Sequence, residues 1–157
     1  MGIRYYAYPL HAADVPLAEC DPRQFMSADP LADAWGLDPG RPKPRMLYLD
    51  KAWRPLQLLF AEAATGEDPP ISAQLVAGRV WQSGQGWWEP HIGVLPPEQV
   101  AAIARDIVRF GPVDQATAER IDRLGPSADY VNDYLLRAQE FTAEIAGDGL
   151  GLVYMIG

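Results

Sequence analysis

Apolar segments rich in β-branched and aromatic residues stand at both ends of the chain, and they constrain its fold more than any other feature. Ile3–Tyr8 and Leu150–Ile156 each have the composition of a strand. Helical patterns dominate the sequence between them, so the two segments are predicted to pair in the centre of one sheet, which ties down both termini. We therefore expect an α+β fold, a single helix-rich domain over residues 1–157 with a small mixed or antiparallel sheet that contains the N- and C-terminal strands.

Capping residues and prolines mark the predicted helices. Pro96-Pro97-Glu98 precedes apolar residues at helical spacing, and Gly111-Pro112 ends that pattern. Asp114 is predicted to cap a helix through Leu124, and Ser127 to cap the longest helix, which ends near Gly147. Shorter helices are expected over 12–19, 31–35 and 73–76, and a further strand over 92–95.

Asp50 is predicted to cap another helix, which runs to about Ala64 and ends at Gly66. Pro55 conflicts with this boundary, because it would remove an early backbone donor that a helix capped at Asp50 would use. The helix must then start later or bend at the proline.

The segment from Asp21 to Arg45 is rich in proline and glycine. Such a composition disfavours regular elements and is typical of a loop that runs over the surface. We expect this segment, called the strap below, to cover the core and to be anchored by Phe25, Met26 and Trp35.

Composition excludes several classes of partner. With 13 Lys and Arg against 21 Asp and Glu, the net charge is −8, and no basic run is long enough for a nucleic acid. An acidic surface suits solubility or docking onto a basic protein. The single cysteine, Cys20, favours a reducing compartment, and neither a signal peptide nor a membrane-spanning run is visible, so we expect a cytoplasmic protein without a membrane partner.

Tryptophans form the most unusual local cluster. Of five in the chain, Trp81, Trp87 and Trp88 lie close together around Gly84-Gln85-Gly86, in a segment that is predicted to be a hairpin or a mobile loop. Adjacent tryptophans on a strand face opposite ways, so at least one should be exposed and available to a protein or small ligand. The alternatives are burial under the strap or cover by a second copy in a symmetric homodimer.

Two further groups are candidate binding residues. Asp50, Lys51 and Trp53 could line a ligand cleft at a helix N-terminus. The alternative, which we favour, is a capping Asp50, a solvated Lys51 and a core Trp53. Glu89 and His91 lie on one side of an extended segment, where the acid could orient the imidazole. A surface pair without catalytic role is the alternative, since a catalytic site needs a third convergent group.

The sequence gives no indication of a metal or a cofactor. Histidine is limited to His11 and His91, cysteine to Cys20, and neither falls in a metal-ligand spacing. Gly84-Gln85-Gly86 lacks both the Lys-Ser/Thr of a phosphate loop and the third glycine of a dinucleotide fingerprint. We expect no bound metal or cofactor.

An ordered set of motifs from Tyr48 onward resembles the YfbM-like family, a bacterial domain of unknown function. It comprises Leu49-Asp50-Lys51-Ala52-Trp53 with Leu56 and Leu59, then Asp68-Pro69, Ala77-Gly78, Val94–Val100 and Leu152-Val153-Tyr154. The resemblance covers about two thirds of the chain and implies a compact cytoplasmic α+β domain, but no reaction. Family members often carry a histidine where this chain has Gln57, so any proton chemistry of that histidine is absent here.

Two functional hypotheses follow. The first is a non-catalytic module that binds a protein or small ligand through the tryptophan segment, as an immunity protein neutralising a basic toxin would. The second is an enzyme that acts on a small polar substrate, with Asp50, Glu89 and His91 in an acid–base cleft. We favour the first, because no complete set of catalytic residues is visible in the sequence.

Overall fold

The computed structural model of the protein describes residues 2–82, 84, 86, 88–123 and 125–157. Its strands are β1 (Tyr5–Leu10), β2 (Leu47–Asp50), β3 (Trp81–Gln82), β4 (Trp88–Glu89), β5 (His91–Leu95) and β6 (Gly151–Ile156). Its α-helices are α1 (Val15–Cys20), α2 (Pro30–Trp35), α3 (Trp53–Glu62), α4 (Pro97–Ile107), α5 (Gln115–Ile121) and α6 (Ala128–Gly147). Short stretches of 3-10 helix cover Ala12–Asp14, Pro22–Phe25 and Ile71–Val76. The fold belongs to the predicted α+β class.

Four strands form one antiparallel sheet in the order β2-β1-β6-β5. The N- and C-terminal strands are its central pair, with Tyr5 opposite Ile156 and Leu10 opposite Gly151. The prediction that the two ends of the chain share a sheet is therefore confirmed. Each central strand is hydrogen-bonded along both edges, β1 to β2 and β6, and β6 to β1 and β5, so both ends of the chain are held inside the sheet.

One face of the sheet packs against helices and forms the main core. Alternation along the strands puts Tyr5, Ala7, Leu152 and Tyr154 on this face, and all four are buried. They contact apolar side chains of α3, α4 and α6 in one continuous cluster, which includes Leu56, Phe60, Val100, Ile103, Ile107, Leu135, Ala138 and Ile145. Each large side chain buried there contributes roughly 1.5–3 kcal/mol to folding.

The strap covers the other face of the sheet. Tyr6, Tyr8 and Val153 are buried on this face, and Phe25 and Met26 of the strap pack against them, as predicted. Trp35, the third predicted anchor, is 59% exposed and does not join this packed cluster, although its indole hydrogen-bonds with Tyr48. The sheet is thus covered on both faces, by helices on one side and by an irregular segment on the other.

Asp50 does not cap a helix. It is the last residue of β2, a strand that sequence analysis did not predict, and α3 begins three residues later at Trp53. The later start resolves the conflict with Pro55, which becomes the third residue of α3. The first four backbone N–H groups of a helix have no partner within it, so proline costs nothing there.

The caps predicted for the last two helices are confirmed. The Asp114 carboxylate accepts a hydrogen bond from Thr117 N at 2.7 Å, and Ser127 Oγ accepts one from Tyr130 N at 3.4 Å. α5 ends at Ile121, earlier than predicted, and the predicted end at Leu124 lies outside the described residues.

Within the described residues, none of the helices combines the length and apolar character that crossing a bilayer requires.

Candidate functional site

β3 and β4 form a separate two-stranded ribbon, which we call the tryptophan hairpin. Trp81 lies opposite Glu89 and Gln82 lies opposite Trp88. Directly opposed residues of an antiparallel pair share a face, so the indoles of Trp81 and Trp88 lie on opposite faces of the ribbon. Trp87, the third tryptophan predicted here, lies outside the described residues. Among the described residues, the pairing of β3 with β4 agrees with the hairpin, one of the two alternatives predicted for this segment.

Trp81 and Glu89 present an indole beside a carboxylate on an open surface. Trp81 is 66% exposed, and Glu89 is exposed as well. A guanidinium or ammonium group above the face of an indole is attracted by the ring, and a neighbouring carboxylate adds charge and hydrogen-bond acceptors. This face of the hairpin therefore has the chemistry to receive an arginine or lysine side chain.

Trp88 occupies the opposite face and is 56% exposed. It lines a shallow cavity of about 340 Å³ together with Gly2, Ile3 and Gly157. Neither Trp81 nor Trp88 is covered by the strap, so the predicted alternative of burial beneath it does not hold for these two tryptophans. The hairpin instead offers an apolar contact on each face.

Side chains from three elements anchor the segment that leads into the hairpin. Four successive backbone carbonyls, 75–78, each accept a side-chain hydrogen bond. Tyr5 Oη donates to Leu75 O at 2.9 Å, and Tyr154 Oη donates to Ala77 O at 2.7 Å. Gln57 Nε2 donates to Val76 O and, at 3.0 Å, to Gly78 O. The hairpin thus projects from a fixed base, and Gln57 has a structural role there.

His91 packs against that base. A Cβ atom on Gly78 would lie only 2.1 Å from His91 Cδ2, and Gly78 has a φ of +127°. His91 Nε2 lies 3.4 Å from Tyr154 Oη, whose proton is directed at Ala77 O. Burial lowers the pKa of His91 below its usual value of 6.5.

The lowered pKa of His91 predicts a small dependence of stability on pH. A histidine that is harder to protonate in the folded state contributes stability that is complete above pH 6.5, and that stability is lost as the pH falls through the folded pKa. We expect His91→Gln to flatten the fall in the denaturant midpoint between neutral and mildly acidic pH. His11→Gln is the matched control, because His11 is exposed. An equal flattening in both variants would contradict this assignment.

A second polar cluster surrounds Asp50 at the edge of the sheet. Arg4 Nε donates to Asp50 Oδ1 at 3.0 Å, and Tyr48 Oη donates to the same oxygen at 2.9 Å. Tyr130 Oη, from the first turn of α6, donates to Asp50 Oδ2 at 2.6 Å. Three donors therefore converge on one carboxylate, which is 24% exposed.

The backbone at Asp50 is unusual. Asp50 has a φ of +47°, the only non-glycine residue with positive φ among those described. The register of β1 with β2 shifts at this point. Tyr5 pairs with Asp50 but the next residue, Tyr6, pairs with Tyr48, so β2 has one extra residue here. Aspartate tolerates the left-handed region better than most residues. The bulge turns the Asp50 carboxylate toward Arg4 and Tyr130.

These contacts set the protonation state of the cluster. Burial alone would raise the pKa of Asp50, but hydrogen bonds from Tyr130, Tyr48 and Arg4 outweigh it and hold that pKa below 3.8. The pKa of Tyr48 is raised to about 12 by burial and by its hydrogen bond to Asp50. At neutral pH the cluster is therefore one carboxylate bound by neutral hydroxyls and a guanidinium, with no group ready to exchange a proton.

Lys51 and Trp53 were predicted to join Asp50 in a cleft. One of these side chains is exposed to solvent and the other packs against the core. The Lys51 side chain is exposed and passes close to Gly2. Trp53 is partly buried against the main core, and its Nε1 donates to Ile3 O at 3.2 Å. The cap alternative for Asp50 is wrong, whereas the solvated lysine and the core-packed indole agree with the structure.

The structure does not bring Asp50, Glu89 and His91 together. Asp50 and His91 lie on the two opposite edge strands of the sheet. They belong to one row of paired residues that crosses it, with Tyr5 and Ile156 between them. Three strand spacings of roughly 4.8 Å separate their backbones by about 14 Å. Glu89 and His91 form no ion pair in the described part of the chain, although only Pro90 separates them.

Sequence analysis did not predict the partners of Asp50, which are Arg4, Tyr48 and Tyr130. One signal for Tyr48 was present, because Leu47-Tyr48-Leu49-Asp50 alternates apolar and polar residues as a half-buried strand does. No local pattern connects Arg4 or Tyr130 with a carboxylate that is 46 or 80 positions away.

Among the described residues, no group of three or more His, Cys, Asp and Glu side chains is arranged to hold a metal ion. Comparison with models of known protein families, with curated proteins and with solved structures found no match for this chain.

Proposed function

We propose that the protein is a non-catalytic binding module that recognises a basic protein through the tryptophan hairpin. The observation that supports this most directly is the exposed Trp81 indole beside the exposed Glu89 carboxylate. Tryptophan is enriched among residues that dominate binding energy at protein interfaces, and monomers seldom leave it open to solvent.

Charge favours a basic partner. The net charge of −8 attracts a cationic surface over the Debye length and raises the association rate. Glu89 places one of these acidic groups where a cation on Trp81 would meet it. Such binding should weaken as salt rises, because the long-range part of the attraction is screened.

An immunity-like role, in which the protein neutralises a basic toxin, is the specific form of this proposal that we favour. A cytoplasmic setting belongs to the proposal and is supported by the single cysteine, Cys20, which is exposed and unpaired.

We also propose that the chain is a divergent member of the YfbM-like family. The ordered motifs from Tyr48 onward support this membership, and the family's α+β expectation is compatible with the fold described here. Membership adds no reaction to the proposal.

The proposal predicts that the protein captures a basic partner through the hairpin. Tagged wild-type protein, incubated with lysate of its native cell, should retain a partner with a basic isoelectric point, identified by mass spectrometry. Trp81→Ala should weaken binding of that partner about tenfold, and Glu89→Gln should weaken it less, as measured by titration of the purified pair. Trp35→Ala is the matched control, since its indole is also exposed but belongs to the strap.

An acidic partner, or equal loss of binding with Trp81→Ala and Trp35→Ala, would contradict the proposal. Sedimentation of the purified protein tests the homodimer separately. A dimer that dissociates on Trp81→Ala would mean that the hairpin binds a second copy of this chain in place of a basic protein.

A further inference from the structure

A narrow cleft lies between the strap and the face of the sheet that the strap covers. Its volume is about 320 Å³, near the lower end of the usual range for ligand pockets, about 300–1,000 Å³. Ile92 and Met155 form its floor, Met26 and Pro30 its roof, and Arg23 and Ser27 supply polar groups. Methionine side chains adapt readily to the shape of an apolar ligand.

Arg23 has no ion-pair partner among the described residues. Glu19, four residues before it, forms no ion pair with it, and two other nearby acids are engaged elsewhere. Asp21 Oδ2 accepts a hydrogen bond from Gln24 at 2.8 Å, and Asp29 Oδ1 caps α2 through Ala32 N at 3.0 Å. The guanidinium is therefore free to bind an anion from outside, and its planar donors match a carboxylate in two-point geometry.

The apolar groove between α4 and α6 lacks such a group. It has a similar volume, about 340 Å³, but its polar side chains are already occupied. Asn132 bonds both backbone groups of Val113, and Gln139 Nε2 donates to Ile107 O and Phe110 O. Of these two cavities, the cleft under the strap alone combines an apolar lining with an unpaired charge at its wall.

We propose that this cleft binds a small monocarboxylate with an apolar tail. Arg23 binds the carboxylate, and Met26, Ile92 and Met155 enclose the tail. Binding there does not involve the tryptophan hairpin, because β5, β6 and the strap supply the residues that line the cleft.

Titration with octanoate tests the site, with methionine methyl groups as the readout by NMR. The chain has four methionines, of which Met26 and Met155 line the cleft, while Met46 does not. We expect the Met26 and Met155 signals to shift in a saturable manner and the Met46 signal to stay in place. Arg23→Gln should weaken octanoate binding about tenfold. Arg41→Gln should leave the affinity unchanged, because Arg41 is an exposed strap arginine outside the cleft.

Related ligands show whether both the carboxylate and the apolar tail are needed for binding. Octanol, octylammonium and acetate should each bind at least tenfold more weakly than octanoate, since each lacks either the carboxylate or the tail. The proposal is overturned if octanoate leaves the Met26 and Met155 signals unshifted. It is also overturned if octanol binds as well as octanoate, or if Arg41→Gln weakens octanoate binding as much as Arg23→Gln does.

Discussion

Gly78→Ala should lower the free energy of unfolding by about 3 kcal/mol, because it combines backbone strain with a steric clash. At a φ of +127°, position 78 lies in a region that L side chains rarely adopt. The new methyl group would also lie 2.1 Å from His91 Cδ2, far inside van der Waals contact. Denaturant unfolding followed by circular dichroism measures this loss, and we expect the tryptophan hairpin to become less protected against hydrogen exchange.

Gly66→Ala provides the matched control. Gly66 also has a positive φ, +69°, but no atom lies within 4 Å of the place that an alanine Cβ would occupy. This substitution should therefore cost only about 1 kcal/mol, the usual penalty for an L residue in the left-handed region. Comparable losses for the two variants would show that the contact between His91 and Gly78 is not the cause.

The double variant Gly78→Ala/His91→Ala separates the steric clash from the backbone strain. Removing the imidazole takes away the clash and leaves the backbone strain, so the double variant should recover about half of the loss caused by Gly78→Ala. Strictly additive effects would contradict the close packing of His91 against Gly78.

Asp50→Ala should destabilise the protein by about 2–3 kcal/mol. The substitution leaves Arg4 Nε and the Tyr48 and Tyr130 hydroxyls without their acceptor, and a partly buried donor without a partner is costly. Alanine is also less tolerant than aspartate of the positive φ at this position. The free energy of unfolding from urea titration measures the effect.

Two comparisons test whether the loss of hydrogen bonds to the Asp50 carboxylate causes this destabilisation. Asp50→Asn should cost about half as much, since its amide oxygen still accepts hydrogen bonds and asparagine tolerates positive φ. Asp148→Ala removes a carboxylate that pairs with Arg45 at 2.8 Å but is 57% exposed, and it should cost less than about 1 kcal/mol. If Asp50→Ala cost no more than Asp148→Ala, the cluster around Asp50 would not contribute to stability.

Local chemistry made several features predictable from sequence. Capping side chains act over three residues, so Asp114 and Ser127 identified helix starts correctly. The apolar character of both terminal segments predicted a shared sheet, because pairing them ties down both ends of the chain. The prediction that at least one of the adjacent tryptophans, Trp87 and Trp88, would be exposed is confirmed by Trp88.

Competing local signals led to the errors. Asp50 followed by Lys51 and Trp53 has the composition of a helix start, and this pattern obscured the short alternating strand that ends at Asp50. The cluster around Asp50 depends on contacts that span 46 and 80 residues, and such contacts exist only after the sheet and α6 have packed. Trp35 was predicted to anchor the strap by burial, but it stays largely exposed, and its indole hydrogen-bonds with Tyr48.

Oxidative footprinting of the complex with the captured partner tests the central claim most directly, namely that the tryptophan hairpin is the recognition surface. Trp81 and Trp35 have similar exposure in the free protein, 66% and 59%, so both should oxidise readily before binding. We predict that the partner protects Trp81 strongly and leaves oxidation of Trp35 unchanged. Protection of Trp35 with continued oxidation of Trp81 would contradict the claim.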